Sequence, residues 1–189
     1  LHSSFDRAEW DEVRLDIDAQ VRPDLVGSVA DLRNIVGDAT FDAIWSSHNV
    51  EHLYAHEVLP SFREFHRILK PTGYALVTCP DIAAIARLAL ENGLDHQAYI
   101  SRAGPVTVLD MLFGFSRSIA QGNFNMAHHT GFTTERLGQM LHDAGFEEVR
   151  VVEGRALDLW AVACMPLVDR LALGRALARS AEAGLFVWS

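Results

Sequence analysis

A strand–helix–strand series in the first half of the sequence constrains the fold more than any other feature. Residues 41–46 predict a short strand, and residues 74–79 are a nearly continuous apolar run typical of a buried strand. Between them, apolar side chains recur at helical spacing and predict an amphipathic helix that ends before Pro71: Val58, Leu59, Phe62, Phe65 and Leu69. Two strands joined by a helix in this way are expected to lie parallel in one sheet.

The flanking segments extend this pattern. Thr133 or Thr134 caps a predicted helix, and Gly145 stands where a left-handed C-cap belongs. Residues 82–90 predict another helix, and three further strands are predicted at 13–16, 148–152 and 158–164, the last two as an antiparallel hairpin. The sequence therefore predicts an α/β fold: a three-layer, Rossmann-like sheet, mostly parallel, with an antiparallel C-terminal hairpin.

The length and composition favour one domain. The chain has 189 residues, 49% of them hydrophobic, which suffices for one continuous core over residues 1–189. Within this domain, residues 93–132 are predicted to be a loop-rich insertion or lid, and residues 167–189 a C-terminal tail with a helix over 167–183. Cys79 and Cys164 lie in apolar runs, so we expect buried, reduced thiols rather than a disulfide framework.

Charge and hydropathy bear on partners and location. The formal net charge of −9 repels phosphate, so we expect no nucleic-acid partner. No run approaches the roughly 18 to 20 apolar residues of a membrane span, and the first residues do not resemble a signal peptide. We therefore expect a cytoplasmic protein without membrane contact. Because the chain does not start with Met, we also consider it a fragment of a longer one.

Several stretches in order resemble class I S-adenosylmethionine-dependent methyltransferases, specifically the family often labelled methyltransferase type 11. They correspond to that family's second strand, fourth strand, helix-turn-fifth-strand unit and last helix: residues 14–18, 41–53, 65–78, and 131–135 with 141–146. The most specific part is Phe41-Asp42 followed by Glu51-His52-Leu53 and by Leu-Lys-Pro-x-Gly at 69–73. The resemblance implies the α/β fold, the cofactor S-adenosylmethionine and methyl transfer.

The first element of the family pattern has no counterpart in residues 1–15. The family opens with a central strand and a glycine-rich turn, but residues 1–15 contain no glycine. Either the chain is truncated, or another element fills the place of that strand between residues 13–16 and 41–46. We expect one of three outcomes: disorder of residues 1–20, insertion of a segment from a partner chain, or direct pairing of the two flanking strands. Disorder needs no new contacts and therefore has the lowest free-energy cost of the three.

The resemblance also implies a set of cofactor-binding residues. Asp16 at the end of the second strand would accept hydrogen bonds from both ribose hydroxyls, and Ile17 would cover one face of the adenine. Ser28 and Val29 fall in the loop that recognises adenine. Ser47 and His48 follow the fourth strand, beneath the methionine portion of the cofactor. The alternative for each residue is an ordinary turn or strand end.

Three histidines are candidate catalytic groups: His48, His128 and His129. The imidazole side chain of histidine suits proton transfer near neutral pH, and the alternative for each of the three is a polar residue of a loop or a helix start. His48, Glu51 and His52 also fit the H-x-x-E-H pattern of an inverted zinc-peptidase motif. The family context outweighs that pattern, so we expect no metal.

The sequence therefore predicts a methyltransferase acting on an unidentified small-molecule acceptor. Such catalysis depends mainly on positioning and desolvation and needs no fixed catalytic side chain. Two alternatives stay open: a non-catalytic methyltransferase-like protein and, less favoured, a zinc hydrolase using His48, Glu51 and His52. The apolar residues 186–188 near the end of the chain suggest a homodimer.

Overall fold

The computed structural model describes residues 2–5 and 8–178, which form eight strands and six α-helices. The strands are β1 (Leu15–Asp16), β2 (Leu25–Val26), β3 (Phe41–Ser47), β4 (Leu69–Pro80), β5 (Gln97–Ser101), β6 (Gly104–Thr107), β7 (Glu148–Glu153) and β8 (Asp158–Cys164). The helices are α1 (Ala55–Ile68), α2 (Ile82–Asn92), α3 (Val108–Phe113), α4 (Ser116–Ala120), α5 (Thr134–Asp143) and α6 (Arg170–Leu177). Within the described residues, no helix is both long and apolar enough to cross a membrane.

The main sheet has the strand order β3-β4-β8-β7. β3 and β4 are parallel, whereas β8 is antiparallel to both β4 and β7. The α/β fold, the parallel pair and the closing hairpin are therefore as predicted. β4 is longer than predicted because it begins at Leu69, directly after α1, and runs to Pro80.

Helices and an aromatic layer cover the two faces of this sheet. On one face, α1 and α5 pack their apolar side chains against Val77 and Ala161. On the other face, α6 and residues near the start of the chain pack against Leu76 and Val162. The sheet is thus the middle of three layers. Thr133 caps α5 by accepting a hydrogen bond from the backbone N–H of Arg136, as the sequence predicts.

Strands β1 and β2 form a separate parallel pair, and neither is paired with β3 in the described structure. The separation predicted between residues 13–16 and 41–46 is therefore present. β2 is not predicted, because two extended residues leave no periodic pattern in the sequence. Direct pairing of β1 with β3 does not occur.

Disorder of residues 1–20, one of the three expected outcomes, is not what the structure shows for the described part of that segment. The Phe5 side chain is buried, and its ring lies 5.1 Å from that of Trp10 and 6.2 Å from that of Tyr74, measured between centroids. The His2 ring lies 4.9 Å from that of Trp45. Burial of aromatic surface thus compensates for the entropy lost on ordering, which the prediction of disorder neglected.

Residues 93–132 are more regular than the predicted loop-rich insertion. β5 and β6 form an antiparallel hairpin, and the side chains of Thr107 and Asp110 form a capping box at the start of α3. Val106, Val108 and Met111 are buried together with Ile85 of α2. The sequence pattern did not predict these short elements because they become stable through packing on α2 rather than through local periodicity.

The C-terminal tail is described only to residue 178. Of the predicted helix over 167–183, the described residues form α6, in which Leu173 and Leu177 are buried against the sheet, and residues 179–183 lie outside the described part of the chain. Residues 186–189, which carry the homodimer prediction, lie outside the described residues. The two cysteines are buried free thiols as predicted, and burial raises the pKa of both, that of Cys164 to about 12.

Glu64, a buried residue of α1, connects the segment after β2 to this helix through hydrogen bonds to its carboxylate. Glu64 Oε2 accepts hydrogen bonds from the backbone N–H of Leu32 (2.8 Å) and from Arg67 Nη2 (2.7 Å), while Oε1 accepts one from Arg67 Nε (2.9 Å). Arg67 Nη1 donates in turn to the carbonyl of Val36 at 3.0 Å. The hydrogen bonds from Arg67 lower the pKa of Glu64 below its ordinary value of 4.5.

We predict that Glu64→Gln lowers the free energy of unfolding at pH 7 by about 1–3 kcal/mol, because charge-assisted hydrogen bonds are lost. A carboxylate with a lowered pKa stabilises the fold above pH 4.5 and loses that effect as the pH falls through the pKa of the folded state. The variant should therefore lose less stability on acidification than the unmodified chain. Urea unfolding at several pH values measures this, with the exposed Glu91→Gln as control. An equal loss in both variants would contradict the assignment.

Candidate functional site

The carboxyl end of β3 is fixed by its pairing with β4. Ser47 lies opposite Thr78 in the parallel register, and the backbone N–H of His48 donates to the carbonyl of Thr78 at 2.9 Å. His48 has φ of 47°, a left-handed conformation that non-glycine residues seldom adopt. This conformation ends the strand and leads into a single 3₁₀ turn over Val50–His52. The polar residues 46–49 are thereby gathered at the end of the strand.

A groove of about 480 Å³ runs between the β1–β2 pair and β3. Residues 10–16 and Val29 line one side, residues 43–49 line the other, and Phe65 and Ile68 of α1 contribute apolar surface. This volume falls within the range of small-molecule sites in proteins. The groove therefore lies where the unpaired side of β3 faces β1.

Four of the six predicted cofactor residues line this groove: Asp16, Val29, Ser47 and His48. Asp16 Oδ1 accepts a hydrogen bond from the backbone N–H of Asp18 at 2.8 Å, which orients the carboxylate at the end of β1. The structure thus brings the ends of β1 and β3, which are 31 positions apart in sequence, to opposite sides of one groove.

The other two predicted residues are not among those that line the groove. The side chain of Ile17 is largely exposed, at 62% relative accessibility. Ser28 Oγ accepts a hydrogen bond from the backbone N–H of Ala30 at 3.2 Å, as in an ordinary turn. Ser46, the first of the polar residues at the end of β3, also lines the groove, and its buried hydroxyl has no hydrogen-bond partner among the described residues.

A buried glutamate lies directly behind the groove. Only 1% of the Glu51 surface is exposed, and its Oε1 lies 3.2 Å from Nδ1 of His48. This hydrogen bond raises the pKa of His48, because a carboxylate stabilises the protonated ring. Glu51 Oε2 is also buried, and it has no hydrogen-bond partner in the part of the chain that the structure describes.

The loop before α5 is tied to the same turn. The carbonyl of Glu51 accepts hydrogen bonds from the backbone N–H groups of His129 (2.9 Å) and Thr130 (3.2 Å). Nδ1 of His52 lies 3.1 Å from the carbonyl of Ala127, and Nδ1 of His128 lies 3.1 Å from that of Met111. These contacts place His128 beside His52, with their ring centroids 4.9 Å apart. Burial lowers the pKa of His128.

The candidate catalytic histidines consequently have different surroundings. His48 lines the groove, whereas His128 packs against His52 behind it. The exposed His129 stacks on the ring of Tyr54 at 4.2 Å. The predicted motif of His48, Glu51 and His52 lies at a single 3₁₀ turn, not on the long helix that the zinc-peptidase pattern requires.

A different set of side chains has the spacing of metal ligands. A carboxylate oxygen of Glu51 and one ring nitrogen each of His52 and His128 lie within 4.8 Å of one another. His128 is 76 positions from His52 in sequence, so no local spacing could have linked the two. The H-x-x-E-H pattern already contains Glu51 and His52, and the adjacent pair His128–His129 is the sequence signal for the third residue.

Residues 9–77 match a family model described as a methyltransferase domain. This match confirms the resemblance to class I S-adenosylmethionine-dependent methyltransferases over that part of the chain, which includes both sides of the groove. No curated protein matches the chain.

Several solved structures are similar in fold. One is a methyltransferase from Thermotoga maritima described as a possible histamine N-methyltransferase, with 18% identity and a TM-score of 0.46 over 78% of this chain and 67% of that chain. Another is a possible exported protein from Bordetella parapertussis, with 20% identity and a TM-score of 0.46 over 74% of this chain and 43% of that chain.

A third is the 1,6-didemethyltoxoflavin-N1-methyltransferase from Burkholderia thailandensis, crystallised with 1,6-didemethyltoxoflavin and S-adenosylhomocysteine. It has 14% identity and a TM-score of 0.47 over 82% of this chain and 60% of that chain. This chain therefore spans less than two thirds of the Burkholderia and Bordetella proteins. With TM-scores below 0.5, the likeness of all three is partial.

The position of the histidine loop depends on Gly114. This residue has φ of 98° and pairs with Ala127, and a Cβ atom on it would collide with the backbone carbonyl of Met126. Gly122 has a similar φ of 94°, but the space around its Cβ position is open. Both glycines therefore have a positive φ, but only at Gly114 would an added side chain collide with neighbouring atoms.

We predict that Gly114→Ala destabilises the fold by more than Gly122→Ala, which serves as the matched control. The strain of a left-handed backbone costs on the order of 1–3 kcal/mol in both variants, whereas only Gly114→Ala adds displacement of the loop that carries His128. Urea unfolding gives the two losses, and backbone amide NMR shifts at 126–130 report the displacement. Equal losses with unchanged shifts would show that the contact is unimportant.

Proposed function

We propose that this chain is an S-adenosylmethionine-dependent methyltransferase whose groove binds the cofactor. The observation that carries the proposal is the position of Asp16 and residues 46–49 on opposite sides of one groove, inside the segment that matches a methyltransferase domain. Neither the fold nor the match alone assigns this function to the groove. The combination supports it because polar groups converge on an otherwise partly apolar cleft.

The residues of the groove fit a nucleoside with a charged amino-acid tail. The Asp16 carboxylate offers two acceptor oxygens to vicinal ribose hydroxyls, and Oδ1 is already oriented by the backbone N–H of Asp18. The buried hydroxyl of Ser46 has no partner within residues 2–5 and 8–178, so it can donate to or accept from a bound molecule. Val29 and Ile44 provide apolar surface against which an adenine ring can pack.

In this proposal, the protein contributes positioning and one proton acceptor. The cofactor supplies an activated methyl group on its sulfonium sulfur. His48 lies at the groove, and its Nδ1 is held by Glu51, so Nε2 is the ring atom that can accept a proton from a small-molecule nucleophile. Holding the nucleophile in line with the methyl group accounts for most of the rate enhancement that such a site can provide.

A small molecule is the acceptor we propose. The net charge of −9 disfavours a nucleic-acid acceptor, and the groove has the volume of a site for small ligands. The Burkholderia enzyme mentioned above holds a small heterocycle, 1,6-didemethyltoxoflavin, in its crystal structure.

A non-catalytic methyltransferase-like protein is the second candidate. Its sequence basis is confined to residues 1–15, which lack glycine and so do not themselves supply the glycine-rich turn of the family. Failure of the chain to bind S-adenosylhomocysteine would favour this candidate over the first.

We predict that the chain binds S-adenosylhomocysteine and that Asp16→Ala weakens binding by about 1–3 kcal/mol, because charge-assisted hydrogen bonds to the ribose are lost. Isothermal titration calorimetry measures the dissociation constants, and circular dichroism verifies the fold. The matched control is Asp18→Asn, which changes a neighbouring carboxylate that does not line the groove. An unchanged dissociation constant in Asp16→Ala would refute the assignment of the groove.

A further inference from the structure

We propose that Glu51, His52 and His128, here named the Glu51 cluster, form a binding site for a divalent transition-metal ion such as Zn²⁺. Their donor atoms lie within 4.8 Å of one another. Ligands of a tetrahedral zinc, bound at about 2.0–2.2 Å, are roughly 3.4 Å apart. The three donors are therefore at most about 1.4 Å further apart than the ligands of a bound zinc ion.

Both imidazoles are already oriented as metal ligands usually are. Nδ1 of His52 and Nδ1 of His128 each lie 3.1 Å from a backbone carbonyl, those of Ala127 and Met111 respectively. A carbonyl can only accept, so each Nδ1 carries the hydrogen, and Nε2 of the neutral ring has a free lone pair. Metal-bound histidines in proteins are typically fixed through such a hydrogen bond from the other ring nitrogen.

Of the two carboxylate oxygens of Glu51, only one has a hydrogen-bond partner among the described residues. Glu51 Oε1 contacts His48, but Oε2 is buried and has no hydrogen-bond partner. Among the residues that the structure describes, no lysine or arginine forms an ion pair with Glu51. A buried carboxylate oxygen without a partner is costly, and a bound cation would remove that cost.

The donor set indicates the class of metal. Two imidazoles and one carboxylate suit Zn²⁺, Fe²⁺ or Co²⁺, whereas Mg²⁺ and Ca²⁺ prefer oxygen ligands. Three protein ligands leave at least one coordination position for water or for an oxygen or nitrogen of a small molecule. His48 contacts Glu51 and also lines the groove, so the metal site adjoins the groove while using separate ligands.

The test is metal binding by the full chain after treatment with EDTA. Zn²⁺ is titrated in competition with a chromophoric chelator, and Co²⁺ is added separately to record visible d–d absorption. We expect one equivalent of Zn²⁺ with a dissociation constant below micromolar, and Co²⁺ bands typical of four- or five-coordination.

Variants of the cluster identify the ligands. His128→Ala and Glu51→Gln should each weaken Zn²⁺ binding by more than about 100-fold, beyond the 10–100-fold typical of residues around the ligands. The matched control is His56→Gln, which removes an exposed histidine of α1 and should leave Zn²⁺ affinity unchanged. Circular dichroism shows whether each variant is folded, and His52→Gln replaces any variant that is not.

Three results would overturn the proposal. The first is that the unmodified, folded chain takes up no Zn²⁺ at micromolar concentration and gives no visible Co²⁺ bands. The second is that folded His128→Ala retains full affinity for Zn²⁺. The third is that His56→Gln loses as much affinity as the cluster variants. S-Adenosylhomocysteine binding in the presence of EDTA is measured independently. The proposed metal site and the proposed cofactor groove can therefore be refuted independently of each other.

Discussion

The parallel pairing of β3 with β4 is the constraint on which the rest of the site depends. It places Ser47 opposite Thr78 and directs the N–H of His48 to the Thr78 carbonyl at 2.9 Å. Because a shift of one residue in register would exchange the two faces of the strand, this pairing also decides which side chains of β3 reach the groove and which enter the core. The groove and the turn that holds Glu51 both begin at this strand end.

Glu51 connects the two halves of the chain. Its carbonyl accepts hydrogen bonds from His129 and Thr130, and its carboxylate contacts His48. The segment that matches the methyltransferase domain ends at residue 77, so the loop near 128 lies outside it. Through Glu51, this later segment becomes part of the same site. A buried polar network of this kind is stable only when each member has a partner, which is why the unpaired Oε2 stands out.

The edge strand β3 is protected by side chains packed on its two faces rather than by a further paired strand. In the described structure, β3 pairs only with β4, and its other side faces the groove. Trp45 and Phe5 pack within an aromatic layer on one face of the sheet, while Ile44 packs on the other. Because both faces are buried, the edge of β3 is accessible mainly through the groove. A polar ligand bound there can form hydrogen bonds with the backbone groups of this edge.

The sequence by itself determined the periodic elements and the strand ends that carry polar residues. The run of residues 74–79, the amphipathic stripe of α1 and the cap at Thr133 follow from local patterns, because burial of one face imposes its period on the sequence. The resemblance to the methyltransferase family implied a cofactor role for Asp16, Ser47 and His48, which follow strands, and the structure places all three at the groove. Short elements such as β2 and β5 were not predicted, since they depend on packing against distant segments.

Only the tertiary structure decided which polar groups meet. Sequence spacing grouped His48 with Glu51 and His52, because it can compare only neighbours along the chain. Folding instead placed His128 beside His52 through hydrogen bonds to the carbonyls of Met111 and Ala127. It also packed the start of the chain on the sheet, where sequence reasoning weighed entropy without the aromatic surface that Tyr74 and Trp45 provide. Contacts between residues far apart in sequence are fixed by the whole core, and no local pattern encodes them.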